Sequence, residues 1–378
     1  MTLLPRRAER GSLDLDAVHG ALGEVLDPEL FQPVTTLGMV AGVQASGGRV
    51  VVELRLTVAS CPLRDELTAR VRTAVGRVPG VRDVEVRLTS MSDPQRRVLA
   101  EALRGRRPEG VSPFGALGST TAVVAVASGK GGVGKSSVTA NLAAALAASG
   151  RAVGLLDADV WGYSIPGLFG VRRAPVSLPG LMLPVPAHGV RLMSTGFFVA
   201  EDAPVVWRGP MLHKALAQFL SDVHWGELDV LLVDLPPGTG DVTISLLELA
   251  PSAGLVVVTT PQAAARTVAS RVGRMAADQQ VPVLGVVENM SGLVCSGCGE
   301  VTTLFGEGGG TLLAQALGVP LLARIPLDPA LRQAGDDGTP VVLSDPTSPA
   351  AQALRELAGA LPLSRPSIVG RPLPLSVV

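Results

Sequence analysis

After residue 120, short apolar runs alternate with segments in which apolar residues recur at helical spacing. An apolar run of this kind is typical of a strand buried on both faces of a parallel sheet. The helix that follows would return the chain to the start of the next strand. The pattern predicts an α/β fold with a doubly wound, mostly parallel sheet. The apolar runs lie at 121–127, 151–157, 229–234, 254–260, 282–289 and 321–325, and the clearest helical segments at 137–149 and 263–277.

The first hundred residues have a different pattern, in which helical segments are mixed with strand-like ones. The segment 50–58 alternates apolar and polar residues, which indicates one buried and one solvated face. The residues Ser46, Gly47 and Gly48 before it are typical of a hairpin turn. This order predicts a small αββαβ domain of the α+β class ahead of the sheet. Its helices are expected at 13–26 and 62–78, and its strands at 38–43, 50–58 and 81–88.

The chain has 378 residues, which is long enough for two domains. We expect the small domain at 12–90 and the parallel-sheet domain at 120–362. Residues 91–119 are polar and rich in arginine and proline, so we expect a linker there, with a short helix at 95–104. Residues 363–378 contain several prolines and glycines and are expected to form a disordered tail.

The composition, with 47% hydrophobic and 17% charged residues, is that of a globular chain. A net charge of −1 gives no electrostatic sign of a nucleic-acid partner. No apolar run approaches the roughly 18 residues of a membrane span, and the tail has no amphipathic helix that would anchor it to a membrane. The N-terminus lacks the apolar stretch of a signal peptide, and three cysteines are too few for a disulfide framework. The expected location is the cytoplasm.

A glycine-rich loop, Gly-Lys-Gly-Gly-Val-Gly-Lys-Ser, stands at 129–136 between the first apolar run and a helical segment. Strand, glycine loop and helix in this order are the context of a phosphate-binding P-loop. Glycines let backbone N–H groups reach the phosphates, Lys135 adds a charge near them, and Ser136 is placed to bind Mg²⁺. The chain has only three lysines, and Lys130 and Lys135 are two of them, which disfavours a chance glycine turn. The loop predicts a nucleotide site.

Acidic residues follow two of the apolar runs, at the edge where parallel sheets bind ligands. Asp157 and Asp159 follow the second run. Asp234 ends the third run in the arrangement of a Walker B strand, and we expect it to hold Mg²⁺ directly or through water. The residues Pro-Pro-Gly at 236–238 then predict a stiff turn near the γ-phosphate.

The loop with its extra lysine resembles the deviant Walker A motif of the class that contains the nitrogenase iron protein, MinD and ParA. Within that class, the segments 157–166, 207–211 and 236–242 are similar to the Mrp/ApbC iron–sulfur carrier ATPases. Residues 160–164 read Val-Trp-Gly-Tyr-Ser, whereas the family usually has Val-Tyr-Gly-Pro-Ser. We expect this departure to alter the shape of the loop more than its chemistry. The resemblance covers about 120–362.

The resemblance implies roles for individual residues. Lys130 would cross a dimer interface to the partner's nucleotide, Lys135 would act within its own subunit, and Asp159 would orient the attacking water. Asp157 would lie in the Mg²⁺ shell, and Asn289 would read the adenine. The residues expected to bind ATP are Gly129, Lys130, Gly131, Gly132, Val133, Gly134, Lys135, Ser136, Ser137, Asp157, Asp234 and Asn289.

Cys295 and Cys298 form a Cys-x-x-Cys pair. Alone, such a pair is ambiguous among a zinc site, a redox dithiol, an iron–sulfur site and an unliganded pair. A tetrahedral metal or a cubane cluster needs four thiolates, and two copies related by a two-fold axis would supply them. Together with the family resemblance, the pair implies a [4Fe–4S] cluster that bridges a homodimer.

The small domain carries a second resemblance. The segments 27–30 and 33–40 and the step from Cys61 to Pro62 look like the small domain of iron–sulfur assembly factors. A position just before a helix favours a thiolate at Cys61, whereas a lone cysteine is more often a small buried hydrophobe. The resemblance implies that Cys61 and Asp27 take part in cluster handling.

These features predict an ATPase that carries a cluster between its subunits and transfers it to apo iron–sulfur proteins. The first alternative is a MinD- or ParA-like nucleotide switch that positions a partner and has no use for the cysteine pair. The second is a thiol–disulfide or zinc protein with an accessory ATPase.

Overall fold

The computed structural model describes residues 13–59, 61–105, 110–114, 119–198, 209–295 and 297–363. These residues fall into two compact units. The first contains the described residues of Met1–Arg107 and Val176–Leu183, and the second those of Pro108–Pro175 and Pro184–Val378.

The elements are numbered in chain order. The first half of the chain contains α1 (Leu15–Gly23), β1 (Val40–Ser46), β2 (Arg49–Leu56), α2 (Arg64–Gly76), β3 (Asp83–Ser90), α3 (Asp93–Arg104), β4 (Ala122–Ser128), α4 (Lys135–Ala148), β5 (Val153–Asp157), α5 (Ile165–Leu168), β6 (Ser177–Leu178), β7 (Leu181–Met182), β8 (Val185–Ala187) and β9 (Val190–Ser194). After a short 3-10 helix (Thr195–Phe198), the second half contains α6 (Gly209–Ser221), β10 (Val230–Asp234), α7 (Asp241–Leu249), β11 (Gly254–Thr259), α8 (Ala263–Asp278), β12 (Val283–Val294), β13 (Val301–Thr302), α9 (Gly309–Leu317), β14 (Leu321–Leu327), α10 (Pro329–Asp336), α11 (Val341–Ser344) and α12 (Pro349–Ala360).

The three-stranded sheet of the first unit has the order β1-β2-β3. Strands β1 and β2 are antiparallel, and the turn between them is formed by Gly47 and Gly48, with φ angles of 58° and 88°. Both angles lie in the left-handed region that a β-carbon disfavours, which explains the glycine pair. Strand β3 is parallel to β2, and the chain reaches it through α2. The elements from α1 to β3 therefore follow in the order that the pattern predicts.

Helix α3 lies within the stretch whose composition predicts a linker. It buries Leu99 in the hydrophobic core of the first unit, which also contains Leu178 from the β6–β7 hairpin. At its C-terminal end, Arg104 donates a hydrogen bond of 2.6 Å to the carbonyl oxygen of Gly180 in that hairpin. Ordered structure of the first unit therefore continues through α3, because a narrow apolar stripe on an otherwise charged helix is enough to dock it.

Within the described residues, the sheet of the second unit has nine strands. Eight of them follow the order β13-β12-β11-β4-β10-β5-β9-β8, and β14 pairs with β12. Only the β12–β13 and β8–β9 pairs are antiparallel. Every residue of β4, β5, β10 and β11 is buried, as expected of central strands with both faces covered. The predicted α/β class with a mostly parallel sheet is confirmed.

Two strands extend further than predicted. Strand β12 does not end at Asn289 but continues to Val294, through an irregularity at which Met290 has a φ angle of 55°. Strand β14 runs through Pro326, which the sequence predicts to lie after the strand. The predicted tail lies outside the described residues from 364 onward. No helix in the described part of the chain is both long and apolar enough to cross a membrane.

Candidate nucleotide site and cysteine pair

The glycine loop joins the end of β4 to the start of α4. Gly132 and Gly134 have φ angles of 79° and 78°, in the region that favours glycine. A β-carbon on Gly134 would also collide with the side-chain amide nitrogen of Asn289, and one on Gly129 with the backbone of α8 at Ala269. The course of the loop therefore depends on the absence of side chains at these positions.

Asp234, the last residue of β10, is fully buried and is contacted by three side chains of α4. Its Oδ2 lies 2.7 Å from Lys135 Nζ and accepts a hydrogen bond of 2.6 Å from Ser136 Oγ. Its Oδ1 accepts a hydrogen bond of 2.9 Å from Thr139 Oγ1. A carboxylate and a hydroxyl oxygen are the donors that Mg²⁺ prefers, so Ser136 and Asp234 fit the metal role predicted for them.

Sequence reasoning missed Thr139. It lies four residues after Lys135, and its hydroxyl also donates to the Lys135 carbonyl oxygen at 2.8 Å. Residues at this spacing share one face of a helix. The spacing could therefore have identified Thr139 from the sequence, because a hydroxyl one helical turn after the P-loop lysine faces the same carboxylate.

Asp157 ends β5 directly beside Asp234 of β10 and is fully buried. Its Oδ2 accepts hydrogen bonds from Ser194 Oγ at 3.1 Å and from the backbone N–H groups of Ser164 and Ile165 at 3.2 Å each. Burial, and then the charge of Asp234, raise the pKa of Asp157 to about 7. Asp157 therefore anchors the loop after its own strand, and its place in a Mg²⁺ shell stays a prediction.

We expect Asp157 to make the stability of the fold fall as pH rises. Its pKa of about 7 in the folded chain lies above the ordinary value of 3.8. Between about pH 4 and pH 7, the folded chain thus keeps a proton that the unfolded chain has lost, and the free energy of unfolding decreases by at most about 1.4 kcal/mol per pH unit. Above that window both states are ionised and the contribution is constant. Asp157→Asn should remove this slope from urea-unfolding curves recorded across the window.

Asp65→Asn is the matched control, since the Asp65 side chain is 97% exposed. It should keep the wild-type dependence of stability on pH. A wild-type slope in Asp157→Asn would contradict the raised pKa.

A cleft of about 500 Å³ opens over the glycine loop. Its lining includes residues 130–137 together with Asp159, Trp161 and Pro236. Asp159 is 7% exposed, and its Oδ1 accepts a hydrogen bond of 3.0 Å from the Gly162 backbone N–H. The cleft thus brings the three residues predicted for catalysis to one space of the size that small-molecule sites have.

A second cleft, of about 390 Å³, shares Gly134 and Ser137 with the first. Its lining combines apolar side chains such as Leu327 with Asn289 and with charged residues such as Arg332. The amide nitrogen of Asn289 donates to the carbonyl oxygen of Val133 at 2.9 Å, inside the glycine loop. Asn289 therefore supports the loop in this structure, and its role in reading adenine stays a prediction.

Cys295 and Cys298 are both exposed and lie between β12 and β13, which pair as a short hairpin. The Cys295 N–H donates to the Glu300 carbonyl oxygen and its carbonyl accepts from the Gly299 N–H, each at 2.9 Å. The backbone N–H groups of Cys298 and Gly297, followed by the Cys298 thiol, lower the pKa of Cys295. The turn therefore favours a thiolate, the form that binds metals.

Among the described residues, no group of three or more His, Cys, Asp or Glu side chains is arranged to hold a metal ion.

Both residues predicted for cluster handling in the first unit are buried. Cys61 is 7% exposed within the hydrophobic core. Asp27 Oδ1 accepts backbone hydrogen bonds of 2.9 Å from Glu29 and from Leu30. Burial raises the pKa of Asp27, although these two hydrogen bonds lower it. Asp27 therefore holds the turn of its own motif, and the roles of both residues with a cluster stay predictions.

The family model of the NUBPL iron-transfer P-loop NTPases matches residues 119–362. The chain belongs to this family. The model of a second family, described as iron-sulfur cluster assembly protein, matches residues 15–88. The resemblance drawn from the motifs is thus confirmed both for the NTPase part and for the small domain before it.

Relatives of this NUBPL-family NTPase share nearly its whole length. A Mycobacterium tuberculosis protein named iron-sulfur cluster carrier protein is 52% identical over 366 residues, which make up 95% of this chain and 96% of the relative. A Deinococcus radiodurans protein of the same name is 46% identical over 92% of this chain and 94% of its own length. A solved nucleotide-binding protein from Archaeoglobus fulgidus in complex with ADP is 41% identical, covers 57% of this chain and 86% of its own, and has a TM-score of 0.51.

Proposed function

We propose that this NTPase is an ATP-hydrolysing homodimer that binds a [4Fe–4S] cluster between its subunits and transfers the cluster to apo-proteins. The observation that carries the proposal is the exposed pair Cys295 and Cys298 in the same unit as a complete P-loop. A nucleotide switch without cargo has no use for such a pair. The names of the Mycobacterium and Deinococcus relatives support the same function.

ATP would bind with its phosphates on the glycine loop. Lys135 would supply charge to them, Ser136 and Asp234 would hold Mg²⁺, and the metal would neutralise charge that develops on the phosphates. Lys130 would reach the nucleotide of the second copy, and Asp159 would orient the attacking water. The short distances from Asp234 Oδ2 to Ser136 Oγ and Lys135 Nζ support this assignment.

The cluster is the cargo, and it would be shared by two copies. Each copy contributes Cys295 and Cys298, which gives the four thiolates that a cubane cluster needs. The exposure of both thiols and the lowered pKa of Cys295 support ligation at this turn. Apo iron–sulfur proteins would be the receiving partners.

Coupling between nucleotide and cluster would run through the turn after β10. The N–H of Gly238 donates to the carbonyl oxygen of Ser128 at 2.8 Å, so this turn is tied to the start of the glycine loop. Helix α7 begins at Asp241, directly after the turn. A change in the phosphates would thus shift the turn and α7 together, alter the dimer geometry and gate the cluster.

Anaerobic reconstitution with iron and sulfide tests the cluster. We expect broad visible absorption and about four irons per dimer, with nucleotide binding retained in the loaded protein. A colourless protein that contains zinc, or no metal, would contradict cluster carriage while leaving the NTPase intact. Salt-sensitive DNA binding or recruitment to liposomes in such a protein would then favour the nucleotide switch.

A further inference from the structure

Trp161 is a large aromatic residue left largely in water at the nucleotide cleft. Its side chain lines the cleft together with the glycine loop, Asp159 and Pro236, and 65% of the residue is exposed. Aromatic residues make up only 3% of the chain, and Trp225 is 1% exposed. The indole of Trp161 therefore borders the nucleotide cleft and, unlike Trp225, is not part of the buried core.

The loop that carries Trp161 is fixed at both ends by one carboxylate. Asp157 Oδ1 accepts from the Asp159 N–H at 3.2 Å, and Asp157 Oδ2 accepts from the N–H groups of Ser164 and Ile165. Between these anchors, the chain contains the large exposed side chain of Trp161.

Trp161 and Asp159 belong to the same tight turn. The Asp159 Oδ1 accepts from the Gly162 N–H at 3.0 Å, across the position of Trp161. This bond uses one oxygen of the carboxylate and leaves Oδ2 for other contacts. The backbone on both sides of Trp161 is therefore tied to the carboxylate that lines the cleft.

We propose that Trp161 is a positioning residue for ATP hydrolysis, which covers the phosphate end of the bound nucleotide and holds Asp159 in place. The inference rests on the ATPase half of the proposed function and is independent of the cluster. Lys135 and the glycine loop line the first cleft, where the phosphates would bind, whereas Asn289, the residue predicted to read the adenine, lines the second. The indole thus meets phosphate and water instead of stacking on adenine. Covering the phosphate end of the nucleotide excludes bulk water from the cleft and strengthens the electrostatic contacts within it.

Steady-state ATPase kinetics and fluorescence test the proposal. Trp161→Ala should lower kcat about tenfold, while KM for ATP changes by less than about twofold, because positioning and not binding is lost. Trp161→Phe should restore most of kcat. Adding ATP should change the tryptophan emission of the wild type, and that change should be missing from Trp161→Phe. Leu312→Ala, at an exposed apolar residue of α9, is the matched control and should behave as wild type.

If the wild type hydrolyses ATP, three outcomes would overturn the inference about Trp161 and leave the proposed function standing. The first is a wild-type kcat in Trp161→Ala, and the second is a loss of activity that comes only from a raised KM for ATP. The third is a loss of activity that recovers as the protein concentration is raised, which would place Trp161 in a contact with a second copy. A wild type that binds ATP but does not hydrolyse it would overturn this inference together with the ATPase half of the proposed function. The two failures are therefore distinguishable.

Discussion

Lys135→Ala is expected to weaken ATP binding at least about 100-fold and to abolish measurable hydrolysis, since a charge aimed at the phosphates is lost from a preorganised site. In the structure, the ammonium lies 2.7 Å from Asp234 Oδ2, and the Lys135 side chain is 6% exposed. The charge is therefore already held at the cleft before nucleotide arrives. Titration with a fluorescent ATP analogue and a phosphate-release assay measure the two effects.

The same substitution leaves the buried Asp234 without its cation. Breaking a buried ion pair in this way destabilises a fold by about 3–5 kcal/mol. Thermal unfolding must therefore accompany the binding measurement, and Lys135→Gln, which keeps most of the side-chain volume, serves as the second variant. It should fold and still fail to bind ATP. Lys214→Ala, at an exposed lysine of α6, should bind and hydrolyse as wild type. Wild-type turnover in a folded Lys135→Gln would refute the P-loop assignment.

The nucleotide site could be predicted from sequence because its chemistry restricts residue type at consecutive positions. The glycines at 132 and 134 adopt angles that other residues rarely adopt, so the loop is visible as a pattern. Asp234 is equally visible, because burying a carboxylate at the end of a fully apolar strand is costly unless a cation or a hydrogen-bond donor meets it there. The function of such residues can be inferred from the residue type and its position in the sequence.

The remaining parts depend on packing between segments distant in the chain, which leaves little trace in local sequence. Ser194 donates to Asp157 only because β9 lies beside β5 in the sheet. The hairpin that carries Gly180 contributes to the core of the first unit although the surrounding sequence belongs to the second. The docking of α3 on the first unit is not visible in its charged composition, since three buried residues per helix do not change an average.

Cys295→Ala is expected to remove the cluster and to leave nucleotide binding unchanged. Replacing one thiolate per copy leaves two in the dimer, too few for a cubane cluster. The turn that carries Cys295 extends from the end of β12, whereas the ATP phosphates would lie at the loop between β4 and α4. The exposed thiol makes few packing contacts, so the fold should tolerate the change. Iron per dimer after anaerobic reconstitution should fall from about four to near zero, with the affinity for ATP unchanged.

Cys298→Ala should give the same loss, because the two thiols act as one pair. Val301→Ala, at an exposed residue of β13 in the same hairpin, is the matched control. It should load iron as the wild type does. Wild-type iron in Cys295→Ala would refute the bridging site, because the cluster would then be held by other ligands. Loss of iron in Cys61→Ala, with thermal unfolding unchanged, would instead show that Cys61 takes part in cluster handling, as the resemblance to assembly factors implies.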